Sequence, residues 1–182
     1  VHSIAWRDVL PADFGRPEGF VQRQLDRWTS VRETASVRAL PLLGEIAQWL
    51  RENMPPLDYA SIIHCDFHLD NCLVARDRPA LRAILDWEMA TIGDPLVDVG
   101  LCLFFWRRDP NGRIGFPVIQ ALSNRPDAMS RAQLADYWSS LTGIDTANRL
   151  YYEVFSAWRL AAIVEGAYVL FRNGKVDSPY AR

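Results

Sequence analysis

Ile63-His64-Cys65-Asp66-Phe67-His68-Leu69-Asp70-Asn71, followed after two short apolar runs by Ile84-Leu85-Asp86-Trp87-Glu88, is the stretch that decides how this chain folds. Ser61-Ile62-Ile63-His64 has the composition of a short strand and leads into a polar cluster. Beyond the cluster lie Cys72-Leu73-Val74-Ala75-Arg76 and Leu81-Arg82-Ala83-Ile84-Leu85. The turn chemistry of Arg76-Asp77-Arg78-Pro79-Ala80 between them predicts a β-hairpin. The polar cluster is then a loop held between rigid elements. Folding the hairpin about residues 78 and 79 sets Asn71 opposite Asp86, and directly opposed residues of an antiparallel pair lie about 5 Å apart. An amide oxygen and a carboxylate at that separation can share one hard cation. Mg²⁺ suits such a pair, because it takes a few protein oxygens and fills its other positions with phosphate oxygens and water. Asp66, five residues before Asn71, approaches the same corner without itself being a metal ligand.

Outward from this centre the pattern is helical. Val21, Leu25 and Trp28 recur at helical spacing, which predicts a helix over 17–32. Pro41 opens a second helix that runs to Asn53, with Leu42, Leu43, Ile46, Trp49 and Leu50 on one face and Met54-Pro55-Pro56 as its stop. Asp94-Pro95 predicts the start of a strongly apolar helix through about Trp106. Residues 109–127 read as a long loop rich in Pro and Gly. Ser130 with Gln133 forms a capping box for a helix that Gly143 closes, and a last helix runs from about Thr146 to Arg172. Residues 1–16 read as irregular. Most of the seven Trp, Trp28 and Trp49 among them, are expected in the core.

Composition narrows the function classes. The 182 residues fit one domain or a large piece of one, and 49% hydrophobic with 23% charged residues is a globular composition. A net charge of −2 gives no reason to expect a nucleic-acid partner. No apolar run in the sequence approaches the ~20 residues of a membrane span, and no membrane partner is expected. Three Cys without a C-x-x-C suggest neither a disulfide framework nor a zinc knuckle, so a reducing cytoplasm is the expected location. Of the 20 basic residues, Lys175 is the single Lys.

One carboxylate that orients a hydroxyl and takes its proton, with an Asn and a second Asp holding Mg²⁺ against nucleotide phosphates, is the layout of a phosphoryl-transfer site. The spacing H-x-D-x-x-x-x-N with a second Asp after a hairpin is that of protein-kinase catalytic segments. On Ile63-His64-Cys65-Asp66 with Asn71, on Ile84-Leu85-Asp86-Trp87, and on Gly93-Asp94-Pro95-Leu96-Val97-Asp98-Val99-Gly100, the chain resembles the aminoglycoside phosphotransferase and choline-kinase-like group of the protein-kinase-like fold. Asp86-Trp87-Glu88, the Tyr151-to-Tyr168 helix and Asp13-Phe14-Gly15-Arg16-Pro17-Glu18-Gly19 resemble most the branch with the kinase-like domain of some acyl-CoA dehydrogenases. The resemblance implies a mainly α, α+β fold: the C-terminal lobe of a kinase, with a catalytic-loop hairpin embedded in it. It implies Asp66 as catalytic base, Asn71 and Asp86 as Mg²⁺ ligands, and His64, Asp94 and Asp98 as supports of the catalytic loop. Arg159 and Glu165, on the late helix, are candidate substrate contacts. Cys65 stands where the family usually has Gly.

The same resemblance predicts a second lobe, with a loop over the phosphates and a strand Lys before the catalytic loop. Lys175 lies more than a hundred residues after Asp66, and the chain starts with Val1 about where a large lobe would start. Residues 1–182 are therefore expected to be the large lobe alone, without the N-terminal nucleotide-binding lobe. The expected reaction of the parent is transfer of the γ-phosphoryl of ATP, with Mg²⁺, to a hydroxyl of a small molecule, the isolated chain being inactive. The late helices mix acidic and basic residues, so no acidic funnel for a polycation is evident. Two other readings remain open. One is a pseudokinase-type binding module without catalysis. The other is a metal-dependent hydrolase using His64, Asp66 and His68, whose alternation would put all three on one face of a strand.

Overall fold

The computed structural model of the chain describes residues 1–35, 38–106, 123 and 125–177. Its helices are α1 (Trp6–Val9), α2 (Phe20–Ala35), α3 (Pro41–Glu52), α4 (Leu96–Phe105), α5 (Arg131–Thr142) and α6 (Arg149–Arg172). Between α3 and α4 lie four short strands: β1 (Ser61–Ile63), β2 (Cys72–Val74), β3 (Leu81–Ile84) and β4 (Thr91–Gly93). Single 3₁₀ turns at Leu69–Asn71 and Trp87–Met89 flank the hairpin. The mixed, mainly helical architecture is the one expected, and the predicted helices are all present within a few residues. The capping box at Ser130 and Gln133 and the left-handed closure at Gly143 both form. The predicted loop at 109–127 lies almost wholly outside the described residues.

α6 is the axis around which the rest is assembled, packing on α4, α2 and α3. By length and composition it would suffice to cross a membrane. Here that apolar length packs against the core: Tyr151, Phe155, Trp158, Ala162 and Val169 are buried, along with the charged Glu153, Arg159 and Glu165. α4 is buried on nearly every side, which explains its unbroken apolar composition. The two helices meet at Gly100, where an added Cβ would stand 2.6 Å from the backbone carbonyl of Tyr152. Phe155, Leu25, Leu50, Ile63, Ile92 and Leu103 fill the interior. Each such side chain contributes ~1.5–3 kcal/mol by leaving water.

Two small antiparallel sheets carry the loops of interest. β1 pairs with β4, Ile62 opposite Ile92. β4 was not anticipated, because three residues are too few for a period to show. The N-terminal stretch, expected to be irregular, holds the one-turn helix α1 and is tied down: the Trp6 indole donates to the Ala60 carbonyl at 3.1 Å. Gly15 lies so close to β4 that a Cβ there would be 2.6 Å from Thr91 Oγ1 and 2.9 Å from the Ile92 nitrogen. Trp49 is also a correction: it is 44% exposed rather than in the core.

β2 and β3 form the predicted hairpin, but in a different register. Cys72 faces Ile84, Leu73 faces Ala83 and Val74 faces Leu81, so Arg82 is an extra residue bulged out of β3. Asn71 therefore meets Leu85, whose N–H donates to the Asn71 carbonyl at 2.8 Å. Asp86 is not directly opposite Asn71. It sits one residue beyond the ladder, in a left-handed conformation (φ 63°) that turns the chain into the following 3₁₀ segment.

Candidate functional site

The loop after β1 is held from below by α4. Asp98, 2% exposed, accepts from the His64 N–H through Oδ2 and from the Cys65 N–H through Oδ1, both at 2.8 Å. His2 adds a third bond to Oδ2 at 3.1 Å. The Trp138 indole can only donate, so its 3.2 Å contact makes His2 Nδ1 the acceptor and leaves Nε2–H to face Asp98. Asp94 closes the start of α4. One of its oxygens accepts from the Leu96 N–H at 2.8 Å and the other from the Tyr152 hydroxyl at 2.7 Å. Burial raises the Asp94 carboxyl above its ordinary value, opposed by these two donors.

His64 joins this loop to the segment that carries Asp86. Its Nδ1 accepts from the Asp66 N–H at 3.2 Å, which puts the proton on Nε2, and Nε2 donates to the Leu85 carbonyl at 2.7 Å. The Trp87 ring lies 4.6 Å from the imidazole. With both ring nitrogens committed and the residue 2% exposed, His64 is unavailable to a metal. Among the described residues no group of three or more His, Cys, Asp or Glu side chains is arranged to hold one. The hydrolase reading through His64, Asp66 and His68 is corrected on that ground.

Cys65 has φ 66°, in the left-handed region where a Cβ is strained. A glycine, the residue that the family resemblance leads one to expect at this step, would carry no such strain. The Cys65 thiol is buried, and burial pushes it up to about 12, so it carries no reactive-thiol chemistry at neutral pH. The backbone reversal turns Asp66 outward, half-buried, with its carboxylate 3.7 Å from His68 Nε2. The His68 imidazole, chiefly, holds the Asp66 carboxyl below the ordinary carboxylate range. Asn71 and Arg159 act in the same direction, and partial burial opposes them. His68 in turn is raised, mainly by Asp66 and further by Asp70. This partnership was missed in the sequence, although the two-residue spacing of Asp66 and His68 was visible.

Asn71 donates from Nδ2 to the Asp66 carbonyl at 2.8 Å and to Asp66 Oδ2 at 3.2 Å. Both partners are acceptors, so the amide orientation is fixed, and its Oδ1 accepts no hydrogen bond among the described residues. Asp86 is exposed and its carboxylate has no hydrogen-bond or ion-pair partner among the described residues. The local donor set is thus an amide oxygen and a carboxylate, both uncommitted, on adjoining steps of one hairpin end. Two hard oxygens fit Mg²⁺ and leave most of its positions to phosphate and water.

The two candidates on α6 separate. Arg159, 4% exposed, donates from Nη2 to the Cys65 carbonyl and so reaches the loop directly. Glu165 does not: its carboxylate is buried in a bidentate pair with Arg38, at 2.6 Å to Nη2 and 3.0 Å to Nε. In this structure Glu165 is the buried member of an ion pair between α6 and the segment that follows α2.

A family model described as the phosphotransferase enzyme family matches residues 1–137. Acyl-CoA dehydrogenase family member 10 of Mus musculus is 27% identical over 190 residues, covering 100% of this chain and 17% of that protein. Acyl-CoA dehydrogenase family member 11 of Homo sapiens is 28% identical over 188 residues, covering 98% of this chain and 23% of that protein. Hygromycin-B 4-O-kinase of Escherichia coli is 29% identical over 103 residues, covering 56% of this chain and 26% of that protein. This chain therefore spans about a sixth to a quarter of the length of the curated relatives it matches. A crystal structure of a Ralstonia eutropha protein assigned to the aminoglycoside phosphotransferases superposes with a TM-score of 0.83 at 28% identity, covering 99% of this chain and 55% of that one.

Proposed function

The chain belongs to the phosphotransferase enzyme family, and from that premise we propose that it is the large, C-terminal lobe of a small-molecule kinase that transfers the γ-phosphoryl of ATP to a hydroxyl. The observation that carries this reading is the junction of Asp66, Asn71 and Asp86. Asn71 spends both amide hydrogens on Asp66 and keeps its oxygen free one step from the unpaired Asp86 carboxylate.

In this reading Asp66 is the base. It is ionised at neutral pH, as a proton acceptor must be, and its carboxylate is steadied by Asn71. The acceptor hydroxyl gives its proton to Asp66 as its oxygen bonds to the γ-phosphorus, and the bridging bond to the β-phosphate breaks to release ADP. Asn71 Oδ1 and Asp86 would hold Mg²⁺, which when bound neutralises charge on the phosphates. His64 and Asp98 fix the loop, and Asp94 anchors the helix behind it. The cysteines described are free, which suits a reducing cytoplasm.

A nucleotide also needs a cover over its phosphates and a Lys that precedes the loop. The single Lys of this chain, Lys175, follows α6. Residues 1–182 alone are therefore expected to bind Mg-ATP weakly and to transfer phosphate negligibly, and robust turnover by that segment would overturn the assignment of lobes.

The experiment that tests the site is Asp66→Asn in the full-length protein, followed by ADP release with a panel of hydroxylated metabolites. Loss of a positioned base lowers turnover by about 10²- to 10⁴-fold. Undiminished transfer would exclude Asp66 as the base, whereas absence of transfer by the unmodified full-length protein across the panel would favour the binding-module alternative.

A further inference from the structure

A cleft of about 610 Å³ opens beside the Asp66 loop, between α2, the segment after Asp86 and the middle of α6. Arg23, Arg27 and Trp28 line it from α2, Cys65 and Glu88 from the loops, and Arg159 from α6. Three guanidinium groups thus face one carboxylate.

The polar groups of this cleft are incompletely used. Arg159 is 4% exposed; its Nη2 has an acceptor, but among the described residues its Nη1 is buried with no partner. No carboxylate lies within ion-pair distance of it among the described residues, although Asp66 is near enough to feel its charge. The Trp28 indole N–H is likewise buried with no partner among the described residues. Arg23 donates to the Glu18 and Arg16 carbonyls, which uses two of its five hydrogens and leaves its charge without an anionic partner among the described residues. Arg27 is exposed and has a ring contact with Trp28 instead of an anionic partner. A buried, unpaired guanidinium hydrogen and a buried, unpaired indole hydrogen are each costly, and both are donors. The chemistry that satisfies them together is an oxyanion, whose several lone pairs accept from a guanidinium and an indole at once. A polycationic acceptor would be repelled here.

We propose that this cleft is the acceptor subsite and that it binds a carboxylate or phosphate group of the molecule whose hydroxyl is phosphorylated, with Arg159 and Arg27 as the specificity-determining residues. The subsite rests on the phosphotransferase reading, because Cys65 links it to the base: Arg159 grips the carbonyl of the residue immediately before Asp66. An anionic group held by Arg159 anchors one end of an acceptor next to the carboxylate that takes its proton.

The test is calorimetric titration of the full-length protein with inorganic phosphate, with and without a saturating, non-hydrolysable Mg-ATP analogue. Phosphate is expected to bind equally well in both arms, and Arg27→Gln to weaken it about tenfold, as for one charge-assisted contact. Arg159→Gln is expected to weaken it further. If that variant unfolds by circular dichroism, Arg27→Gln, at an exposed position, carries the test alone. With a carboxylated, hydroxylated acceptor, KM is expected to rise in Arg27→Gln by a similar factor. Phosphate displaced by the nucleotide analogue would assign the anion to the ATP site and overturn the proposal. So would absence of saturable binding, or equal affinity in Arg27→Gln. Asp66→Asn separates the two readings: it abolishes transfer if Asp66 is the base, yet retains phosphate binding if the subsite exists.

Discussion

At the root of the loop, the N–H groups of His64, Cys65 and Asp66, both nitrogens of the His64 ring and both oxygens of Asp98 all have partners inside the fold. In the cleft on the far side of Cys65, Arg159 and Trp28 each keep a buried hydrogen that nothing among the described residues accepts. The two regions share one residue and follow opposite rules. Saturated groups fix a geometry and have nothing left to offer a ligand. Unsaturated ones are a cost to the empty protein that is recovered only when something binds. The root of the loop therefore controls where Asp66 sits, and the cleft controls what is brought to it.

The strongest way to break this contrast is at Asp98. Asp98→Ala leaves two buried backbone N–H groups without acceptors, each worth ~1–3 kcal/mol, so a loss of about 3–5 kcal/mol is expected. Asp98→Asn keeps one acceptor and should lose less. Denaturant unfolding monitored by tryptophan fluorescence measures both. A loss below about 1 kcal/mol for the alanine variant would mean that the loop root is not held by this network. A smaller effect is expected at Gly100, where α4, carrying Asp98, touches α6, carrying Arg159. The contact of an added Cβ is with backbone, which cannot rotate away. Gly100→Ala should cost about 1–3 kcal/mol by overpacking. By tilting one helix against the other it should also weaken phosphate binding in the cleft, which Asp98→Asn should leave nearly unchanged.

The saturated half of this comparison was largely readable in the chain. Asp66, Asn71 and Asp86 stood out because residue type and spacing carry their chemistry, and the helices because their apolar period is long. Arg82 was not readable as a bulge: the turn residues 76–80 announce a hairpin but not how many residues each strand contributes. Next to the turn, Val74 faces Leu81, which centres the turn one residue earlier than 78 and 79; the Arg82 bulge makes up part of that difference and leaves Leu85 rather than Asp86 against Asn71. The left-handed backbone at Cys65 was equally hidden, since Cys is not among Gly, Asn and Asp, the residues that visit that region; at Asp86 the residue type permits it but does not announce it. The unsaturated half had no local signal. Arg159 meets Cys65 across 94 residues, and Trp28 looked like one more apolar helix position until its indole proved to have no acceptor among the described residues. Glu165 shows the reverse: on sequence it was as good a candidate as Arg159, and a pairing with Arg38 across 127 residues occupies its carboxylate.

The finest test of the contrast lies at His68, beside the base that the loop presents. Its Nε2 is 3.7 Å from Asp66 and its Nδ1 3.5 Å from Asp70. The imidazole is raised by Asp66, so its contribution to stability is full below the ordinary histidine value of about 6.5 and is lost as pH rises through the higher folded value. The Asp66 carboxyl is lowered, so its contribution is present above about 4 and is lost as pH falls through the lower folded value. The pair is strongest between those limits. Wild type is expected to exceed His68→Gln in stability by a fraction of a kcal/mol near pH ~5, because solvent reaches both groups, and by less at pH ~9. Unfolding curves of the two proteins at both pH values give the difference directly. A difference that does not change with pH would show that His68 and Asp66 are not linked through charge. Asn71 would then be the group that holds the base, and the saturated network would extend one residue further than His64.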